Sequence, residues 1–423
     1  MIRFLEDGRK PGQKVDYNYC SERIRELINI LNGKYEIKIV GQEEMNERLV
    51  MAMVLNEHIL LEGLPGTAKT TAIKNLAEEA ALYFNRVQFI PDMQPSDLVG
   101  KRDLRIAANK EHFETYWMDG PLFTNLLLAD ELNRASARVQ AALLEAMGEK
   151  QITPFGQKTK TIRCKEEYDY LRKDHTPPFG GEKIDQFNPS AIQFNVFATM
   201  NPIEMEGTFP LSEASVDRYC FKVIVHYPNI ETLNMISMKV LQDYNKSFGA
   251  LASSARKSDE EKERDHLLSL YFLRECRKKI FEKDTDGTFK RIKQDVIDKI
   301  SHITFFSNYK VTDKHGAQPY CSDPEQLNIR LNMLKKQNIR AKMLLKQDVF
   351  RYIESGTGPR GLESLIKTSL CQAFLDGDQL VNENHVKKVI HDVLRHRIRV
   401  NIQARTQHIE STDVINELME IFL

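Results

Sequence analysis

One short run of residues constrains the fold of this chain more than any other feature. Residues 63–70 read Gly-Leu-Pro-Gly-Thr-Ala-Lys-Thr, and they directly follow the apolar run His-Ile-Leu-Leu at 58–61. An apolar strand that enters a glycine-rich turn, followed by a helix that opens with Lys-Thr, is typical of a phosphate-binding loop. Backbone N–H groups and the positive end of the helix dipole would face the phosphate. The alternative is an ordinary Gly/Pro turn.

Within this run each residue type has a chemical role. Gly63 and Gly66 permit the tight turn, Lys69 can reach the β- and γ-phosphates, and the Thr70 hydroxyl can ligate Mg²⁺. Ala68 stands where the last glycine of the usual pattern is expected, and alanine is the smallest replacement. The remaining predicted nucleotide-binding residues of this segment are Pro65, Thr67 and Thr71.

A pair of carboxylates follows a second apolar run. Residues 126–129 read Leu-Leu-Leu-Ala, long enough for a central parallel strand, and Asp130 and Glu131 come next. Ligands bind at the carboxyl ends of such strands. We therefore expect Asp130 to bind Mg²⁺, directly or through water, and Glu131 to polarise the attacking water as general base. Two solvated carboxylates at a strand end are the weaker alternative, given the run at 63–70.

A third strand is predicted over residues 193–200, and it ends at Asn201. An amide at this position can orient the attacking water or contact the γ-phosphate. Further along the chain, Arg218 is a candidate arginine finger that would reach the nucleotide of a neighbouring subunit. From the residues alone, a surface arginine at a helix end is an equally good interpretation.

Together these motifs resemble the MoxR family of AAA+ ATPases. The runs that carry the resemblance are VGQE at 40–43, LLEGLPGTAKT at 60–70, LADELNRA at 128–135, QAALLEAM at 140–147, ATMNPIE at 198–204 with EGT at 206–208, and LSEA at 211–214 with DR at 217–218. Alanine at position 68 is usual in that family. The resemblance is good over about 38–228 and 350–398, and poor over 1–35, 163–190 and 245–345.

The resemblance implies an α/β fold, a P-loop AAA+ core with a parallel sheet, and a smaller, mostly α-helical lid domain. It also implies residue roles, which are Walker A at Gly63 to Thr70, Walker B at Asp130 and Glu131, sensor 1 at Asn201, the finger at Arg218, and sensor 2 at Arg360. Val40 and Gly41 would lie against the adenine. Arg134 is a weaker candidate for action across a subunit interface.

ATP and Mg²⁺ are therefore the expected cofactors, and a site shared between subunits implies a homo-oligomeric ring, by analogy a hexamer. In the family the work is chaperone-like, and the client is often a protein with a von Willebrand factor A domain. Two other classes stay open: an AAA+ motor that acts on nucleic acid, and a nucleotide-gated switch or scaffold with little turnover. The complete catalytic set counts against the second class.

Composition bears on these classes. The chain has 423 residues, with 60 Lys and Arg against 60 Asp and Glu. Zero net charge gives no general electrostatic case for nucleic acid or membrane binding. The six cysteines are scattered without metal-ligand spacing, and we find no transmembrane-length apolar stretch and no signal-peptide core. We expect a cytoplasmic protein.

The predicted organisation has three parts. These are an N-terminal helical extension at 1–35, the ATPase core at 36–226, and the helical lid at 227–423. The core contains two predicted inserts, a helix-2 insert at about 95–117 and a second insert at about 152–192, and the lid contains an insertion at about 245–345. The sequence does not identify the client, the role of 163–190 or 245–345, or whether Arg360 acts in its own subunit.

Overall fold

A computed structural model gives the structure of the protein. It describes residues 14–33, 41–106, 113–153, 160–162, 192–202, 208–247, 258–285, 287–312, 316–319 and 352–423. The chain divides into two compact units, Met1–Lys279 and Ile280–Leu423. Residues 1–13, 34 and 35 of the predicted extension, all of 163–190, and residues 320–345 of the predicted lid insertion lie outside the described residues.

The first unit alternates strands and helices, as the sequence predicts. Its elements are α1 (Tyr17–Leu31), α2 (Glu43–Leu55), β1 (Ile59–Gly63), α3 (Lys69–Glu79), β2 (Phe84–Gln88), α4 (Pro95–Val99), β3 (Gly100–Ile106), β4 (Phe113–Asp119), β5 (Leu126–Asp130), a 3₁₀ turn (Leu132–Arg134), α5 (Ala137–Glu149), β6 (Gln151–Ile152), β7 (Lys160–Thr161), β8 (Asn195–Met200), α6 (Glu213–Val216), β9 (Phe221–Val225), α7 (Ile230–Ser247) and α8 (Asp259–Ile280).

Five of these strands form one parallel sheet in the order β2-β5-β8-β1-β9. All five residues of β5 are buried, which explains why its sequence is a continuous apolar run instead of an alternating one. Because the strands are parallel, their carboxyl ends meet at one edge, where the residues that follow β1, β5 and β8 come together. The predicted α/β core with a parallel sheet is confirmed.

Buried side-chain amides fix the opposite, amino edge of this sheet. Asn195, which is fully buried, donates both amide hydrogens to backbone carbonyls, those of Ala52 at 3.2 Å and Glu57 at 2.8 Å. Gln193 donates to the carbonyl of Met53 at 2.9 Å and to Asn195 Oδ1 at 2.6 Å. These bonds satisfy carbonyls at the end of α2 and hold the start of β8 in place.

The segment predicted as a helix-2 insert, 95–117, contains the single-turn helix α4 and an antiparallel hairpin of β3 and β4 that pairs Gly100 with Asp119. Gly100 has a φ of 108°, and a Cβ there would lie 2.3 Å from the carbonyl oxygen of Met118. Only glycine fits this hairpin end. Assignment of the hairpin as a family insert stays a prediction.

The second unit is mostly helical, in agreement with the predicted lid. Its elements are α9 (Gln294–Ser307), β10 (Tyr309–Thr312), β11 (Gly316–Pro319), β12 (Ile353–Ser355), α10 (Pro359–Asp376), α11 (Glu383–Leu394), β13 (Arg399–Val400), α12 (Ile402–Thr406) and α13 (Ser411–Phe422). Pro359 starts α10, where its missing N–H is not needed. Helices α7 and α8, which fall within the predicted lid range, group with the first unit, and the lid boundary at 227 stays a prediction.

In the part of the chain that the structure describes, no helix combines the length and the apolar character needed to span a bilayer. Cys20, Cys220, Cys276 and Cys371 are buried, and none of these four cysteines forms a disulfide.

Two histidines of the first unit are buried and held neutral. Burial lowers the pKa of His58 to about 3, with a smaller contribution from the nearby positive charge of Lys150. The Nδ1 atom of His58 accepts the backbone N–H of Val196 at 3.0 Å, which requires the proton on Nε2. Burial also lowers the pKa of His266 to about 4, although its hydrogen bond to the carbonyl of Ala81 opposes the shift.

These histidines predict acid-sensitive stability. Below about pH 6.5, His58 and His266 bind protons in the unfolded chain but stay neutral in the folded chain. The free energy of unfolding should therefore decrease as the pH is lowered below about 6.5, by up to about 1.4 kcal/mol per pH unit for each histidine. Urea unfolding followed by circular dichroism at several pH values measures this slope. His266→Gln should remove about half of it, and an unchanged slope would contradict the assignment.

Candidate functional site

The turn between β1 and α3 has the backbone conformation that its sequence predicts. Gly66 has a φ of 81°, and Ala68, immediately before the helix, has a φ of 62°. A Cβ on Gly63 would lie 2.7 Å from the carbonyl oxygen of Val225 on β9. Gly63 is therefore required for close strand packing and Gly66 for a left-handed turn. Ala68 adopts a left-handed conformation that is strained for alanine.

The side chain of Lys69 is hydrogen-bonded to the backbone of the loop that precedes it. Lys69 Nζ donates to the carbonyl oxygens of Gly63 at 2.5 Å and Leu64 at 2.8 Å. Thr67 Oγ1 donates to the same Leu64 oxygen at 2.8 Å. Partial burial lowers the pKa of Lys69, and the negative charges of Asp130 and Glu131 oppose that shift. An anion in this loop would favour the charged amine in the same way.

Asp130 is the centre of the site. Thr70 Oγ1 lies 3.3 Å from its Oδ2, and Thr199 Oγ1 donates to its Oδ1 at 2.5 Å. Arg86 donates to Oδ2 from Nη2 at 2.7 Å and from Nε at 3.2 Å. The predicted pair of Thr70 and Asp130 is thus brought together, and residues of β2 and β8 complete the group.

Glu131 directly follows Asp130 but has a different environment. Its φ is 56°, its backbone N–H donates to Thr199 Oγ1 at 3.0 Å, and its carboxylate lies 2.7 Å from Arg134 Nε. Both of these side chains are more than a third exposed. The strained backbone directs Glu131 away from the strand, so that the two consecutive carboxylates have separate partners.

Asn201 follows β8 at the same edge of the sheet. Its backbone carbonyl accepts a hydrogen bond from Asn133 Nδ2 at 3.3 Å, which ties the end of β8 to the turn after β5. The predicted sensor position is therefore next to Walker B. Its contact with water or phosphate stays a prediction.

Arg218 lies near the amino edge of the sheet, opposite the carboxyl edge where the loop and Asp130 lie. It precedes β9, and the N–H of Cys220 bonds the carbonyl of His58 at the amino end of β1. Arg218 Nη1 donates to the carbonyl of Leu144 on α5, and a Cβ on Gly148 would lie 2.5 Å from that nitrogen. The five residues of β1, about 16 Å of strand, separate this edge from the loop in the same chain.

The remaining predicted site residues lie in the loop, on or next to helices of both units, or outside the described residues. Pro65 lies in the exposed turn of the loop, Thr71 is exposed on the first turn of α3, and Gly41, with a φ of 71°, precedes α2. Arg360 is in the first turn of α10, in the second unit. Val40 lies outside the described residues.

Sequence reasoning missed Arg86 and Thr199. Arg86 belongs to none of the motifs, and Thr199 lies within the run at 198–204 but was assigned no role. The importance of both follows from strand order, since β2 and β8 flank β5. The available signal was a charged Arg86 and a polar Gln88 at alternate positions of β2, which share one face of the sheet with their neighbours on β5.

Comparison with known proteins agrees with this geometry. Residues 58–167 and 184–221 match the ATPase family associated with various cellular activities (AAA), and 346–418 match the AAA lid domain. The chain is 30% identical over 397 residues to Chaperone MoxR1 of Mycobacterium tuberculosis. The aligned region covers 93% of this chain and 82% of that protein. The chain belongs to the MoxR family of AAA+ ATPases.

A second MoxR protein and a solved structure also match the chain. Protein MoxR of Methylorubrum extorquens is 23% identical, over 85% of this chain and 84% of its own length. A crystal structure of a proposed ATPase from Cytophaga hutchinsonii superposes with a TM-score of 0.64 at 27% identity and covers 96% of both chains. The similarity therefore extends over both units of the chain.

The donor set of this MoxR-family site fits ATP with Mg²⁺. The Thr70 hydroxyl and the Asp130 carboxylate are oxygen ligands, which Mg²⁺ prefers. Among the described residues no group of three or more His, Cys, Asp or Glu could hold a metal ion. Mg²⁺ is usually bound by one or two protein groups together with substrate phosphates.

The strained alanine of the loop gives a stability prediction. Ala68→Gly should raise the free energy of unfolding by up to about 1 kcal/mol, because glycine adopts a positive φ without steric penalty. Ala72→Gly, in the interior of α3, is the matched control and should lower it by about 1 kcal/mol. Chemical unfolding of both variants measures the difference, and an equal loss in both would show that Ala68 is not strained.

Proposed function

We propose that this protein binds ATP and Mg²⁺ at the carboxyl edge of its sheet and hydrolyses the nucleotide. The observation in favour is the hydrogen-bonded group of Thr70, Asp130 and Thr199, which α3, β5 and β8 supply. The loop that contains Lys69 adds an amine beside this group. A phosphate loop, a lysine, a hydroxyl and a carboxylate are the parts that phosphoryl transfer to water requires.

Each residue has a defined task in this proposal. Lys69 turns from the carbonyls of its own loop to the β- and γ-phosphates, with the N–H groups of residues 66–70 around them. Thr70 and Asp130 hold Mg²⁺, Asp130 directly or through water. When bound, Mg²⁺ would supply positive charge that offsets the negative charge developing during transfer. Val40 and Gly41 contact the adenine, and Arg360 contacts the phosphates of its own or a neighbouring subunit's nucleotide.

Glu131 is the proposed general base, and Asn201 positions the same water. The ion pair with Arg134 holds the Glu131 carboxylate through Oε2, whereas the general-base role requires that carboxylate to face the attacking water. This ion pair also favours a second candidate function, a nucleotide-gated switch with slow turnover, because it holds the carboxylate against a neighbouring side chain. The turnover number of the wild-type protein distinguishes the two functions.

The position of Arg218 supports a site shared between subunits. Within one chain Arg218 lies at the sheet edge opposite Lys69, so that a finger role requires the nucleotide of another copy. Such a contact uses two different surfaces of the subunit and generates a ring when it closes. We propose a hexameric ring by family resemblance.

The proposed work of this ring is chaperone-like. Its relative in Mycobacterium tuberculosis carries the name Chaperone MoxR1, and the family resemblance implies a protein client, often one with a von Willebrand factor A domain. Hydrolysis would move the lid relative to the core and thereby remodel the client. We propose a cytoplasmic location, and zero net charge makes nucleic acid the less favoured client.

Loss of the general base should separate binding from hydrolysis. Glu131→Gln should retain ATP affinity and lower kcat by at least ~10²-fold, because the amide cannot accept the proton of the attacking water. Fluorescent-nucleotide binding and phosphate release measure the two quantities. Glu78→Gln, at an exposed position of α3, is the matched control and should behave as wild type. Full turnover of Glu131→Gln would contradict the role of Glu131.

The same variant reports on assembly. With ATP bound and hydrolysis blocked, mass photometry should show a shift to about six subunits. A monomer at every nucleotide concentration would contradict the ring.

Mixing inactive variants tests the shared site. Lys69→Ala removes nucleotide binding from a subunit but leaves its Arg218, whereas Arg218→Ala removes the finger but leaves the loop. A mixture should recover part of the ATPase activity, because some interfaces then combine an intact loop with an intact arginine. Absence of recovery at every ratio would contradict a role for Arg218 in a neighbouring site.

A further inference from the structure

Among the described residues around Asp130, Arg86 is a charged side chain without a task in the proposed ATPase chemistry. It lies on β2, the edge strand of the sheet, next to β5. Its guanidinium donates two hydrogen bonds to Asp130 Oδ2, at 2.7 and 3.2 Å, and a third to Gln88 Oε1 at 2.9 Å. Charge-assisted bonds of this kind are among the strongest hydrogen bonds in proteins.

These bonds occupy the carboxylate that the proposed metal would use. Oδ1 of Asp130 accepts from Thr199, and Oδ2 accepts from Arg86 and lies within reach of the Thr70 hydroxyl. A carboxylate oxygen has about two lone-pair sites. A divalent cation that coordinates Oδ2 must therefore displace the guanidinium or approach close to its positive charge.

The guanidinium can move without disruption of the core. The Arg86 side chain is 51% exposed, whereas that of Asp130 is only 10% exposed. Arg86 is therefore a displaceable partner of a fixed carboxylate. Its charge is permanent, because arginine does not lose its proton in proteins.

We propose that Arg86 is a counter-ion that keeps free divalent cations off Asp130, so that the metal enters the site only together with the nucleotide. A bare cation meets two positive side chains, Arg86 beyond Asp130 and Lys69 on the loop. The phosphates of ATP supply the negative charge that offsets both. Arg86 is thus a positioning residue that acts through Asp130, and this inference rests on the proposed nucleotide site.

Binding of Mn²⁺, a paramagnetic substitute for Mg²⁺, tests the role of Arg86 without hydrolysis. Titration of the full chain with Mn²⁺ alone, followed by electron paramagnetic resonance, should show weak binding to wild type. Arg86→Gln should bind Mn²⁺ about tenfold more tightly, because a half-exposed ion pair no longer competes with the cation. Lys74→Gln removes the same charge from an exposed position of α3 and should match wild type.

Equal Mn²⁺ affinity in wild type and a folded Arg86→Gln would overturn the inference. If Arg86→Gln does not fold, as circular dichroism would show, Arg86→Met removes the same charge and keeps the apolar stem of the side chain, and no gain in its Mn²⁺ affinity would equally overturn the inference. Binding of a fluorescent ATP analogue with Mg²⁺ to wild type is measured in parallel. Failure of that binding contradicts the proposed function, whatever the Mn²⁺ result.

Discussion

The hydrogen bonds that converge on Asp130 connect the site to the sheet. Thr199 donates to this carboxylate from β8, and the Glu131 N–H donates to Thr199 in return. Thr70 approaches from the start of α3. Because β5 and β8 are adjacent and parallel, one hydroxyl holds both the Asp130 carboxylate and the backbone N–H of Glu131. A change in the stagger between these strands would separate the loop from its acidic partner.

The parts of the site that the sequence could predict are those encoded locally. A strand, a glycine-rich turn and a helix that begins with Lys69 and Thr70 are contiguous, so that their geometry follows from the order of residues. The sequence also predicted that Asp130 would end a buried strand at the same edge, since parallel α/β sheets place their ligands there. Their roles with nucleotide stay predictions.

The missed residues depend on contacts between distant segments. Arg86 and Thr199 are 113 positions apart in the numbering and meet at Asp130 only because β2 and β8 flank β5. Neither strand specifies which strand lies beside it, so the local pattern alone could not identify these two residues as partners of Asp130. Arg218 is similar, because its contact with α5 and its place at the far edge of the sheet follow from the path of the chain between β8 and β9.

The buried amides at the amino edge have a consequence for mutational tolerance. Asn195 uses both amide hydrogens and its oxygen, so an aspartate there could not donate and a leucine would leave buried backbone carbonyls unsatisfied. The same holds for Gln193. These positions should therefore reject substitution as strongly as the loop itself. In this protein, intolerance to mutation would therefore indicate the residues that hold the amino edge of the sheet together as well as those of the nucleotide site.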